Sequence, residues 1–148
     1  AYIILLNILI NLLKEADKKY GPGIMLKLFS GKYYQPVIED RIFMFLDLKA
    51  STTIAEKLGH IKYSRLIQDC FYDVTDIVEK YKAEIYQYVG DEIVLSWETS
   101  KGIENENCFR FYFDFSKKLE SKSEYYIRTY NIVAEFKAGL NCGTVTVC

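Results

Sequence analysis

Between Ile42 and Thr53 the chain reads Ile-Phe-Met-Phe-Leu-Asp-Leu-Lys-Ala-Ser-Thr-Thr, and no other stretch limits the possible folds as much. Bulky apolar residues in an unbroken run predict a central strand buried on both faces. The one acid of the run, Asp47, falls where the apolar residues give way to small polar ones. Ser51, Thr52 and Thr53 then supply side chains suited to capping a helix, and a helix start offers free N–H groups and a positive dipole end to an anion such as phosphate. A carboxylate and a phosphate cradle are therefore expected side by side. Taken alone, the stretch equally fits a strand that ends on an acid beside an ordinary cap.

The patterns further along decide what surrounds this strand. Tyr63, Leu66, Ile67, Cys70, Phe71, Val74, Ile77, Val78 and Tyr81 recur at three- and four-residue spacing, which predicts a long helix with one buried face. Lys82 to Trp97 holds two β-rich runs about Val89-Gly90-Asp91-Glu92, where Gly90 can take the positive φ of a tight hairpin. A helical pattern resumes from about Asn107 to Tyr130, Val133 to Leu140 reads as a strand, and Gly143 to Val147 as the start of another. Strand, helix, strand, strand, helix, strand is the α+β, ferredoxin-like split βαβ order, with helices on one face of an antiparallel sheet. In that topology the first strand neighbours the hairpin, so Asp47 and Asp91 can converge. Two carboxylates that close repel unless a cation lies between them. His60 is the single histidine, so oxygen ligands dominate, and oxygen sites that also meet phosphate favour Mg²⁺ or Mn²⁺.

Composition narrows the function classes. At 148 residues the chain suits one domain with a real core. Cys70, Cys108, Cys142 and Cys148 show no C-x-x-C spacing, which points to free thiols in the cytoplasm rather than a zinc site or disulfide scaffold. With 19 Lys and Arg against 20 Asp and Glu, scattered along the chain, nucleic acid is not an expected partner. Residues 1–38 read as an N-terminal helix and connector, broken at Gly21-Pro22-Gly23. The helix, aliphatic apart from Asn7 and Asn11 and followed by lysines, fits either the last turns of a membrane span or a helix pairing with its twin. The first of these would tether a cytoplasmic domain at the inner face of the cell membrane. Residues 39–148 form the domain proper. Starting on Ala1 inside an apolar run and ending on Cys148 inside a strand pattern, the sequence is expected to be a fragment.

Three motifs in order, Phe45-Leu46-Asp47-Leu48-Lys49-Ala50-Ser51-Thr52, Tyr88-Val89-Gly90-Asp91-Glu92 and Phe136-Lys137-Ala138-Gly139-Leu140-Asn141-Cys142-Gly143, resemble the catalytic domain of the class III nucleotidyl cyclases, from roughly Asp40 onward. The resemblance implies two Mg²⁺ or Mn²⁺ ions held by Asp47, Asp91 and the Leu48 main-chain carbonyl. It implies a triphosphate on the turn Ala50, Ser51, Thr52 and Thr53, and conversion of ATP or GTP to a 3′,5′-cyclic nucleotide and pyrophosphate. It also implies a head-to-tail homodimer with its active sites at the interface. Gln87 falls at the purine-reading position, where adenylate-type members commonly carry lysine and guanylate-type members glutamate; its amide suits either purine. Ala50 stands for a frequent glycine and Asn141 for a frequent histidine. The family's transition-state asparagine and arginine would lie beyond Cys148, so the 148 residues alone are expected to be inactive. The rival reading is a non-catalytic nucleotide-binding or dimerisation module on the same fold. A diguanylate cyclase palm fits less well, because the hairpin reads Val-Gly-Asp-Glu rather than Gly-Gly-Asp-Glu-Phe.

Overall fold

The computed structural model describes residues 36–147 and, nearer the N-terminus, residues 2, 4, 7, 8, 10, 11 and 14. The chain divides into two compact units, Asp40–Gly143 and Ala1–Glu39 with Thr144–Cys148. In the second of these the described N-terminal positions, Tyr2, Ile4, Asn7, Ile8, Ile10, Asn11 and Lys14, are helical and exposed. The connector expected up to Pro36, with its Gly21-Pro22-Gly23 break, lies outside the described residues except for Pro36 itself, and so does much of the 1–13 stretch. No helix among the described residues is long and apolar enough to cross a membrane.

The elements run β1 (Val37–Leu48), α1 (Ser51–Val78), β2 (Glu84–Val89), β3 (Glu92–Glu98), α2 (Thr99–Ile103), α3 (Asn107–Ser121), α4 (Ser123–Tyr130) and β4 (Phe136–Val147). The sheet order is β2-β3-β1-β4, the ferredoxin-like arrangement expected from the sequence, with α2 added after β3. Alternation along β1 sorts its side chains between two faces. Ile42, Met44, Leu46 and Leu48 are buried in the core, while Arg41, Phe43, Phe45 and Asp47 take the other face. The core joins those residues to Ile93, Leu95 and Trp97 of β3, Leu66, Cys70, Val74 and Val78 of α1, and Phe111 and Phe115 of α3. Trp97 buries its ring against Phe111 and donates its indole N–H to the Tyr81 carbonyl at 2.9 Å, so the polar end of the largest core residue is satisfied.

Three local expectations need correction. β1 is an inner strand, yet only one of its faces is lined by the core, and Phe45 on the other face is 41% exposed. The helix expected from the Tyr63–Tyr81 spacing is present, and the interruption of α1 lies ahead of it, at Gly59, which takes φ 71°, ψ 167°, a conformation open to glycine and costly for other residues. The helical pattern from Asn107 to Tyr130 is divided at Lys122 into α3 and α4. The two strands read at Val133–Leu140 and Gly143–Val147 are one, β4, which runs straight through Asn141-Cys142-Gly143.

Candidate active site

β1 ends at Leu48, and Lys49 and Ala50 turn the chain into α1. The cap of α1 is not the expected hydroxyl. Ala50 itself is the N-cap residue, in the left-handed region at φ 54°, ψ 31°, and no side chain caps the helix. Ser51, Thr52 and Thr53 form the first turn instead. The Ala50 carbonyl accepts the N–H of Ile54 at 3.0 Å, so the N–H groups of Ser51, Thr52 and Thr53 are the ones without an intrahelical acceptor. A left-handed residue at position 50 accounts for the glycine that the resembled family prefers there.

Asp47 faces away from the core on β1 and is half-buried, its side chain 33% exposed. On β3 its register partner is Glu92, and Asp91 immediately precedes Glu92 in the two-residue loop of the β2–β3 hairpin. Gly90 opens that loop with φ 61°, as a tight hairpin requires. Sheet pairing therefore carries both acids to the same end of the β1–β3 ladder. Two further groups lie within reach of both. Burial raises the pKa of the Tyr63 hydroxyl, with the charges of Asp91 and Asp47 adding to the effect against a hydrogen bond to Ser51. The Lys137 ammonium of β4 lies 2.7 Å from Asp47 Oδ2. That hydrogen bond and the charges of Asp47, Asp91 and Glu92 raise the lysine pKa.

The Asp47 carboxylate already pairs with a cation, the Lys137 ammonium. Among the described residues no three His, Cys, Asp or Glu side chains converge. An ion here would therefore draw on Asp47, Asp91 and main-chain or ligand oxygens, such as the Leu48 carbonyl and phosphate. Gln87 lies on β2 opposite Val94, past a register shift between Ile85 and Gln87, and is exposed. Its neighbour Tyr88 turns the other way, stacking on Phe71 of α1 with ring centroids 4.6 Å apart and so fixing the hairpin to the helix layer.

Lys137 and Tyr63 were not among the site residues read from the sequence. A signal for Lys137 exists: a lone base between Phe136 and Ala138, on the strand that flanks the Asp47 strand. Tyr63 is hidden by its own spacing, which assigns it to the buried face of α1.

The fold is an α+β split βαβ domain with a paired-acid corner beside a helix start. The chain is 32% identical over 125 residues to adenylate cyclase 2 of Rhizobium meliloti (strain 1021), an alignment covering 84% of this chain and 34% of that protein. A bacterial light-regulated adenylyl cyclase superposes with a TM-score of 0.77 at 20% identity, over 98% of this chain and 43% of that one. The guanylyl cyclase Cya2 does so with a TM-score of 0.67 at 15% identity, over 74% of this chain and 57% of that one. No family model matches the chain. In fold and in its likeness to this relative, the chain resembles the class III nucleotidyl cyclases over most of its length. It spans about a third of the length of the curated relative it matches.

Proposed function

We infer that residues 39–148 supply the metal-binding and phosphate-holding side of a nucleotidyl cyclase site, which converts ATP or GTP to a 3′,5′-cyclic nucleotide and pyrophosphate. The observation that carries this reading is the placement of Asp47 and Asp91 at one end of the β1–β3 ladder, beside the uncapped start of α1. Two Mg²⁺ or Mn²⁺ ions, held by Asp47, Asp91 and the Leu48 carbonyl, would supply the charge that acidifies the ribose 3′-hydroxyl and balances the departing pyrophosphate. The free N–H groups of Ser51, Thr52 and Thr53, at the positive end of α1, hold phosphate oxygens of the substrate. Gln87, on the same sheet face as Asp47, meets the purine edge, and its amide serves adenine as an acceptor or guanine as a donor. That face also carries Phe43 and Tyr86 in edge-to-face contact at 5.4 Å, with Tyr86 62% exposed and Phe45 41% exposed. It is the face offered to a second copy in a homodimer with its active sites at the interface. The aliphatic stretch at residues 1–13 adds a pairing or membrane-tethering segment, and the site works on the cytoplasmic side.

The test is equilibrium binding of a fluorescent ATP analogue with and without Mn²⁺. Wild-type protein should bind at least tenfold tighter with Mn²⁺. Asp47→Ala and Asp91→Ala should lose that gain while keeping their circular dichroism, because one acid alone leaves too few ligands to hold an ion and its phosphate. Metal-independent binding in the wild type, or an undiminished gain in either variant, would favour the non-catalytic module.

A further inference from the structure

Among the described residues Lys137 is the base that pairs with Asp47, at 2.7 Å from Oδ2. The other lysine at this corner, Lys49, is held elsewhere, on Glu135 at 3.0 Å. Resting on the reading of Asp47 as a metal ligand, we propose that Lys137 is a tethered counter-cation that occupies the ion's place on Asp47 and suppresses metal binding in the absence of nucleotide.

The geometry supports this in two ways. An ammonium 2.7 Å from Oδ2 takes one lone-pair direction of that oxygen and sets a like charge beside any divalent ion bound to the same carboxylate, so the two compete there. The lysine side chain is 66% exposed, so its head can leave Asp47 by rotating its own flexible stem, without rearranging the core. A free ion meets a carboxylate already neutralised, whereas an ion arriving with an anionic nucleotide brings negative charge that can compete for the lysine. Metal and nucleotide binding are thereby coupled, and the coupling is reciprocal.

The experiment measures Mn²⁺ binding to the intact protein without nucleotide, from the electron paramagnetic resonance signal of free Mn²⁺, in wild type, Lys137→Met, Lys137→Arg and the double variant Lys137→Met/Asp91→Asn. Removing a partly exposed ion pair and its charge should tighten Mn²⁺ binding roughly three- to tenfold in Lys137→Met. Lys137→Arg, which keeps the charge, should stay within twofold of wild type. The double variant should lose the gain. Equal Mn²⁺ binding by wild type and Lys137→Met, with loss on Asp91→Asn, would overturn the role of Lys137 and leave the metal site standing. Mn²⁺ binding that ignores Asp91→Asn would overturn the metal site and this inference with it. A gain in Lys137→Arg as large as in Lys137→Met would show that charge on Asp47 is not what excludes the ion, and the proposal would fail.

Discussion

Ala50 carries a cost that its neighbours do not. A left-handed φ of 54° brings its Cβ against the following carbonyl, a penalty of about 1 kcal/mol that glycine avoids. Ala50→Gly is therefore expected to raise stability by about 0.5 to 1 kcal/mol in urea denaturation, despite the entropy glycine adds to the unfolded chain. A destabilised Ala50→Gly would mean that this turn is not held left-handed in solution. Residues whose placement follows from type and local spacing were legible here. Asp47 and Asp91 lie at the expected corner, and Gly90 has the expected positive φ. Capping was misread because Ser51, Thr52 and Thr53 suit an N-cap in kind, while the cap position falls one residue earlier, on a side chain with nothing to donate or accept. Lys137 was illegible as a partner for Asp47 because a contact across 90 residues depends on how β4 pairs with β1, which local pattern does not specify.

At the scale of elements, three- and four-residue spacing identified α1 and α3, but the polar contacts that join the helices were not visible in it. Asp73 of α1 is buried and accepts the Tyr126 hydroxyl at 2.7 Å and the Lys122 ammonium at 2.6 Å. One turn earlier Asp69 accepts the hydroxyls of Tyr130 at 2.6 Å and Tyr125 at 2.8 Å. These bonds fasten α4 to α1, with Lys122 in the break between α3 and α4. Tyr126→Phe leaves a buried carboxylate short of one donor, which costs about 1 to 3 kcal/mol. Thermal or urea unfolding reads that loss, and an unchanged midpoint would place the Tyr126–Asp73 bond outside the native state. The β4 error has a comparable origin. The break expected between Leu140 and Gly143 does not occur: a Cβ on Gly139 or Gly143 would meet nothing within 4 Å, and extended backbone continues through both. Glycine marks where a chain is able to turn, and sheet pairing decides whether it does.

For the molecule as a whole, several weak acids are buried in their neutral forms. Burial pushes the Cys70 thiol up to about 12, and burial is also the first cause that raises the Tyr126 and Tyr130 hydroxyls. Below about pH 8.5 neither the folded nor the unfolded chain ionises these groups, and their contribution is complete. As pH rises further the unfolded chain releases its protons first, so stability falls until the folded-state values are passed. The urea midpoint should decline steadily between pH 8 and 11, less steeply in Cys70→Ala; a flat or rising midpoint would contradict the burial described for α1 and α4. The same folded body is what brings Asp47 and Asp91 together, and cyclic nucleotide formation by the intact protein tests that placement most directly. With Mn²⁺ and ATP or GTP, the full-length protein is expected to make the 3′,5′-cyclic product, and its Asp91→Ala variant, folded as judged by circular dichroism, to lose at least about 10³-fold in rate, the scale of losing a principal charge-stabilising group, whereas residues 1–148 alone are expected to make none. A folded Asp91→Ala protein that cyclises nucleotide at the wild-type rate would contradict the account.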